Sequence, residues 1–518
     1  MRKILFTVLF LGLFATVASA QQEFANVELP MRRAEDLVTV ADGEGNVCVY
    51  FYQSGKLYFN LLSPSGQVVS SQEIPWRWNE QPQILGTRVT DDEFMFYSRY
   101  ANGRRDYVRP FAINRRTGAF RSLQDVLLKK ERGEQFIGGF VDADHAYMLY
   151  TDKKQNIHLY RDAGDAQMEK KTFATDKMPR TRGRYDREAE LIFVHPDLER
   201  TVFAGHHRSK IYTRGDKVHM IFDDFYTKGN GNKTTTEILT LDWNSGQTEY
   251  RTLPAFENEK DPNFNSFLHN NMLFRVQLAK DEMNLVAYDF ATLKPIKDYS
   301  YKGDQEIAIK STPVHQRGIK ALFSPDNTTI EKTSKVMKNL ANGIPAITVD
   351  SFGDSTLQLT IGSYQPPKVN DRGNDYSRLV RTPDRYVYTS RGLMMIPGRW
   401  TPAYNIPSYY LDSPYYSRYF YDPYGQGRNN LPSGPGISTY FRAVLDNENL
   451  EKVKSDEVVV LQDKIEEYET ELKPEPEFKT VYRYGDKLHY GYLDRKTRSF
   501  RIVEFSQDQP RQEQPQQQ

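Results

Sequence analysis

Leu241-Asp242-Trp243-Asn244-Ser245-Gly246 reads as the end of one strand, a tight turn, and the start of the next. An Asp at the head of such a turn accepts hydrogen bonds from the turn's own amides, and the Gly supplies the positive φ that closes it. The same pattern stands at Ile113-Asn114-Arg115-Arg116-Thr117-Gly118. Tyr288-Asp289-Phe290-Ala291-Thr292 and Leu493-Asp494-Arg495-Lys496-Thr497 keep it without the Gly, and Leu62-Ser63-Pro64-Ser65-Gly66 is one residue shorter. The copies recur at even distances. Residues 62 and 113 lie 51 apart, 241 and 288 lie 47 apart, and 445 (Leu445-Asp446-Asn447) and 493 lie 48 apart.

Between these turns the chain alternates apolar and polar residues. Asn46 to Gln53 (NVCVYFYQ), Lys56 to Leu62 (KLYFNLL) and Gln67 to Ser70 (QVVS) form a meander of short strands rather than a βαβ pattern. A repeat of about 45 to 50 residues with four strands per unit is what a propeller blade requires. On these turns and spacings the chain resembles the β-propeller superfamily at large over about residues 30 to 505. The resemblance implies an all-β fold of about seven four-stranded blades. No Gly-His…Trp-Asp signature and no double-Gly pattern is present, so no family's functional residues carry over. The blades are expected at 30–73, 82–124, 135–173, 188–253, 263–299 and 304–365, with the last assembled from 437–453 and 478–505. Phe24 to Leu29 is expected to close the ring against the C-terminal blade, which removes an open sheet edge. Asp242, Asp289 and Asp494 are expected in equivalent turns of three blades.

Three segments break the repeat. Thr333 to Asn342 and Ser455 to Leu472 have helical spacing, the second with Leu461, Ile465, Tyr468 and Leu472 in one stripe that suits docking on the last blade. Residues 364–436 form a long Tyr/Pro/Gly-rich insertion. Tyr404, Tyr409, Tyr410, Tyr415, Tyr416, Tyr419, Tyr421 and Tyr424 fall within 21 residues there, beside Trp400, Arg418 and Phe420. Tyrosine offers large contact area at low entropic cost, which suits protein and glycan surfaces. The residues chosen as ligand-binding are therefore Trp400, Tyr409, Tyr410, Tyr415, Tyr416, Arg418 and Tyr419. The competing reading is an insertion that covers one propeller face with its own aromatics. Residues 506–518 are a Gln-rich tail with nothing to dock.

Arg2 and Lys3, the apolar run Ile4 to Val17 and Ala18-Ser19-Ala20 have the form of a signal peptide cleaved after Ala20. The expected mature chain starts at Gln21, is exported to a bacterial periplasm or the cell exterior, and carries no later membrane span. A single cysteine, Cys48, excludes an intramolecular disulfide and reads as a small buried residue. With 69 basic and 68 acidic residues the chain is nearly neutral, which argues against nucleic acid as partner. A mean hydropathy of −0.69 excludes a polytopic membrane protein. Aromatics at 13% predict a large core, built from Tyr, Phe and Val.

No nucleophile elbow, phosphate loop, dinucleotide turn or His-Glu-x-x-His helix is present, and the nine histidines are scattered. His206 and His207 on a strand would point to opposite faces. Asp42-Gly43-Glu44-Gly45-Asn46 could offer Ca²⁺ alternate oxygens but lacks a completing carboxylate. No catalytic, cofactor-binding or metal-ligating residue is therefore assigned, and no cofactor is expected. Two functions are compatible with this. One is an exported propeller that binds an envelope protein or glycan through an aromatic face. The other is a glycan-active hydrolase or lyase with paired carboxylates at the central channel. The sequence favours binding over catalysis.

Overall fold

In the computed structural model the described residues are 21–29, 35–53, 56–75, 83–102, 105–164, 167–175, 180–181, 187–188, 191–194, 202–225, 235–256, 263–317, 327–330, 333–352, 355–365, 379–381, 385–389, 392–396, 400–402, 437–453, 461, 464, 465, 468, 471–473, 477–485, 487–494 and 496–506. The strand-and-turn alternation becomes seven antiparallel sheets of four or five strands, the blades of a β-propeller. The first holds Glu35–Ala41, Val47–Gln53, Lys56–Leu62 and Val68–Pro75, in that order outward. The second holds Gln83–Val89, Glu93–Asn102 and Arg105–Asn114, with Phe120–Ser122 and Val126–Leu128 sharing its outer edge. The third runs through Gln135–Val141, Ala146–Thr151, Ile157–Asp162 and Met168–Phe173. The fourth runs through Ser209–Arg214, Lys217–Phe225, Thr235–Asp242 and Thr248–Leu253, with Ile192–Phe193 added in parallel to its inner edge. The fifth is Phe264–His269, Met272–Leu278, Glu282–Asp289 and Pro295–Lys302.

The last two blades depart from simple succession. Thr356–Gln365 and Ile437–Asp446 pair without a break from Thr356↔Asp446 to Gln365↔Ile437, so they are one hairpin of the sixth blade. Strand 437–446 therefore does not begin the seventh blade, contrary to the expectation from the sequence. The sixth blade starts at Ile344–Phe352 and takes its outer strand, Val314–Arg317, from upstream, with Asn327–Ile330 beyond it. The seventh blade has three C-terminal strands, Glu477–Tyr484, Lys487–Asp494 and Ser499–Phe505. Its fourth is the N-terminal strand Gln21–Val27, paired from Gln21↔Phe505 to Val27↔Phe500. The inner strands of blades seven and one meet through Thr39 Oγ1 and Thr480 Oγ1, 2.8 Å apart.

The core lies between blades and is aromatic, as the composition implies. Tyr50, Phe59, Phe96 and Phe111 fill the seam of blades one and two, with Phe96 and Phe111 stacked at 5.0 Å. Cys48 is fully buried in the same seam, and burial raises its thiol pKa far above the ordinary range. Val336, Met337 and Leu340 of helix Thr333–Ala341 join the seam of blades five and six. Leu461, Ile465, Tyr468 and Leu472 cover Tyr490, Tyr492, Val503 and Phe505, on the side of blade seven turned away from blade one.

The recurrent turn is one conformation with different fifth residues. In each copy the amide of residue five donates to the carbonyl of residue one: Gly118 to Asn114, Gly246 to Asp242, Leu293 to Asp289, Leu450 to Asp446 and Arg498 to Asp494. All five fifth residues have φ between 55° and 69°. The side-chain oxygen of residue one caps the turn amides, as Asp242 does for Asn244 at 2.9 Å and Ser245 at 3.1 Å. Asp242 and Asp289 join the third and fourth strands of their blades, whereas Asp494 joins the second and third. The three are not equivalent, because the N-terminus supplies blade seven's outer strand and shifts the turn inward by one connection.

Arg498 is exposed at φ 57°, so Arg498→Gly removes left-handed strain without losing core packing. It is expected to stabilise the fold by about 0.5 kcal/mol, the strain relieved less the entropy that glycine adds to the unfolded chain. Gly246 (φ 69°) has open space around a would-be Cβ, so Gly246→Ala is expected to cost about 1 kcal/mol from strain alone. Urea midpoints of the two variants check both signs.

Candidate functional site

The sixth blade's hairpin opens into residues 366–436 at one end of the ring. Of the residues chosen from the sequence, Trp400 lies on the strand Trp400–Pro402, paired with Leu379–Arg381. Tyr409, Tyr410, Tyr415, Tyr416, Arg418 and Tyr419 lie outside the described residues.

A buried polar junction sits at the same end. Ile344 pairs with Tyr364, so the start of the sixth blade's first strand lies beside the root of the insertion. Asn265, at the start of the fifth blade's first strand, donates from Nδ2 to the carbonyls of Pro345 (2.7 Å), His206 (3.0 Å) and Gly205 (3.1 Å). Lys210, at the start of the fourth blade's first strand, donates from Nζ to Asn265 Oδ1 (2.6 Å), to the Ser266 carbonyl (2.9 Å) and to the His207 carbonyl. Asp223 accepts from Ser266 N (2.8 Å), Ser266 Oγ (2.7 Å) and Thr236 Oγ1 (2.8 Å). Three blades thus meet on one lysine, one amide and one carboxylate. Burial pushes the Lys210 amine down to about 8, with Asp223 pulling it up and Arg208 pressing it further down. A buried group shifted this far toward neutrality is a marker of chemistry as well as of structure.

The short helix Val202–Gly205 brings His206 and His207 to this junction, and nothing in the sequence signalled it. A Cβ on Gly205 would stand 2.8 Å from the Ile347 carbonyl, which is why glycine ends the helix there. The segment is not a strand, so the two histidines do not diverge as the sequence reading expected. Their rings lie 4.1 Å apart, and His206 packs on Tyr364 at 4.7 Å. On the other strand of the hairpin, Tyr440 meets His315 at 5.7 Å and the Arg442 guanidinium at 5.2 Å. The root of the insertion is therefore framed by buried aromatics.

A second polar cluster lies between blades two and three. Asp106 accepts from Arg99 (2.9 Å), Lys130 (2.8 Å) and Tyr150 (3.1 Å), and Glu134 from Lys170 (2.6 Å). His158 Nε2 lies 3.4 Å from Asp152 and 3.6 Å from Glu134. Burial works to raise the Asp106 carboxyl, but Arg99 and Lys130 hold it below its ordinary value. Asp152 is likewise depressed, burial being outweighed by Asn156 and the turn amides. A glycosidase needs one carboxylic acid with a raised pKa, whereas Asp106 and Asp152 are both lowered.

The Asp42 loop is a turn. Asp42 Oδ1 accepts the amides of Glu44 (2.9 Å) and Asn46 (2.8 Å), while Oδ2 takes Asn46 Nδ2 (2.8 Å) and Arg115 Nε (2.6 Å). Asp152 and Asn156 repeat the device, at 2.9 Å for the Asn156 amide and 2.8 Å for its Nδ2. Both carboxylate oxygens are thus occupied by protein donors.

No family model matches the chain, and no curated protein matches it. Among solved structures, an uncharacterized protein from Listeria monocytogenes is 10% identical with a TM-score of 0.29, covering 54% of this chain and 70% of that one. The WD40 domain of SCAP from fission yeast is 8% identical with a TM-score of 0.27, covering 65% and 96%. The Dos1 propeller is 12% identical with a TM-score of 0.29, covering 62% and 75%. Likeness at this level identifies no relative, and the propeller assignment stands on the chain's own sheets.

His219 gives the fold a pH dependence. Burial pushes its imidazole down to about 4, and Arg214, Arg251 and Lys217 add to the effect. The folded state thus keeps His219 neutral, while the unfolded chain protonates near the ordinary histidine value of 6.5. The stability this provides is complete above that value and is lost as the pH falls toward 4, to a limit of about 3 kcal/mol. Urea unfolding at pH 7 and pH 4.5 is expected to show a larger acid loss for wild type than for His219→Gln. Equal losses would contradict it.

Proposed function

We propose that the chain is exported under its N-terminal segment and that the mature ring binds a protein or glycan partner through the face from which residues 366–436 emerge. The observation that carries this reading is the unbroken Thr356–Gln365/Ile437–Asp446 hairpin, whose connection is the Tyr/Pro-rich insertion. A rigid blade hairpin presents that connection beside a junction where three blades are pinned, and rigid support is what a recognition surface requires. The strand that completes the seventh blade, Gln21–Val27, lies after Ala18-Ser19-Ala20, so cleavage there leaves it in the mature chain. If the leader is cleaved there, N-terminal sequencing of the purified protein reads Gln21 first.

Each well-placed aromatic on such a surface contributes about 1 kcal/mol to a stacked ligand. Replacing Tyr409, Tyr410, Tyr415 and Tyr416 by Ser is expected to abolish capture of partners from envelope extract or of glycans on an array, with the melting temperature nearly unchanged. Retention of every partner by the variant would end the proposal. A large loss of melting temperature would instead make these tyrosines packing residues.

A further inference from the structure

Lys210 and Asn265 have an arrangement that goes beyond hydrogen bonding and does not depend on what the ring binds. Lys210 is 1% exposed and Asn265 fully buried. Of the three acceptors around Nζ, two are the carbonyls of His207 and Ser266. A neutral amine has two N–H groups and can keep both of those bonds. The third bond, to Asn265 Oδ1 at 2.6 Å, is the one the neutral amine gives up, which leaves its lone pair free beside the side-chain amide. Three features prepare that amide for attack. The Ser266 N–H donates to Oδ1 at 2.8 Å and so polarises the carbonyl toward the oxyanion. The carbonyls of Gly205, His206 and Pro345 accept from Nδ2 and so fix the orientation of the amide. Asp223, fixed by Ser266 and Thr236, adds a negative charge that favours a cationic nitrogen as the bond forms. Burial excludes the water that would compete for the carbonyl.

We propose that Lys210 and Asn265 form an intramolecular isopeptide bond that links the first strands of blades four and five. The Lys210 amine attacks Asn265 Cγ, the Nζ–Cγ bond forms, and the Cγ–Nδ2 bond breaks. The proton shed by Nζ goes to Nδ2, which leaves as ammonia, so no oxidant or other co-reactant is required. The amine form is accessible near neutral pH because burial lowers the Lys210 pKa to about 8. Placement supplies the rest of the rate, since oriented intramolecular reactants gain orders of magnitude over free ones. With only Cys48 in the chain, an amide cross-link is a covalent brace that requires no second cysteine.

Intact-mass spectrometry of the purified full-length protein is the test. The expected mass is lower, by one ammonia, than that of the same chain with its N-terminus assigned. A tryptic digest should contain a branched peptide joining Ser209–Arg214 to Asp261–Arg275, with Lys210 uncut. Lys210→Arg and Asn265→Ala should each lack the branched peptide, and their full calculated mass identifies the ammonia as coming from this pair. A wild-type protein at its full calculated mass, cut by trypsin at Lys210, overturns the proposal and leaves the lysine as an ammonium that only hydrogen-bonds the blades together.

Discussion

The structure depends on the pairing of Gln21–Val27 with Ser499–Phe505. A propeller is a sheet-by-sheet ring, and a ring assembled from one linear chain leaves two ends to be joined. Here the C-terminal part of the chain supplies three strands of the last blade and the N-terminal segment supplies the outer one. Ala25, Val27 and Leu29 enter the seam with blade one, alongside Tyr482, Phe500 and Ile502. The Gly66 turn of the first blade packs so closely on this strand that a Cβ there would lie 2.2 Å from the Phe24 carbonyl. The strand thus connects blades seven and one through both its ladder and its side chains, and it covers the outward edge of Ser499–Phe505, which would otherwise be open to another chain.

Closure and the long insertion explain the two places where the regular repeat misleads. Because the ring is completed from the N-terminus, the Asp494 turn sits one connection inward of the Asp242 and Asp289 turns, although all three have the same local chemistry. The turn was legible because its Asp and positive-φ position are local, and local chemistry is written in consecutive residues. Leu293, Leu450 and Arg498 adopt the same left-handed position as Gly118 and Gly246, so the missing glycines did not mark missing turns. Which strand sits beside which is a long-range property. The sixth blade's hairpin is separated in sequence by the whole insertion, and only its ten-residue register shows that 356–365 and 437–446 belong together.

The candidate site was less legible than the fold. The aromatic insertion was visible as composition, but its tyrosines from 409 to 419 lie outside the described residues. The buried junction carried no pattern, since Lys210, Asp223 and Asn265 come from separate strands of two blades and meet only when the ring forms. A lysine at the start of an alternating strand reads as an exposed end. It is buried here because the fifth blade brings two oxygen acceptors to it and the preceding His207 carbonyl supplies a third. Likewise, the Asp42 loop has the composition of a cation site, yet Arg115 from the second blade occupies its free oxygen. Interblade contacts decide what these residues do, and a single sequence does not display them.

Hydrogen exchange of the N-terminal strand tests the closed ring most directly. Amides of residues 22–27 are read by mass spectrometry in the folded protein, against those of Ser499–Phe505 as the internal standard. Closure predicts that the two strands exchange together, slowly and with the same dependence on denaturant, because each is released only when the blade opens. Exchange of residues 22–27 at the rate of an unstructured peptide, with 499–505 still protected, would contradict the account.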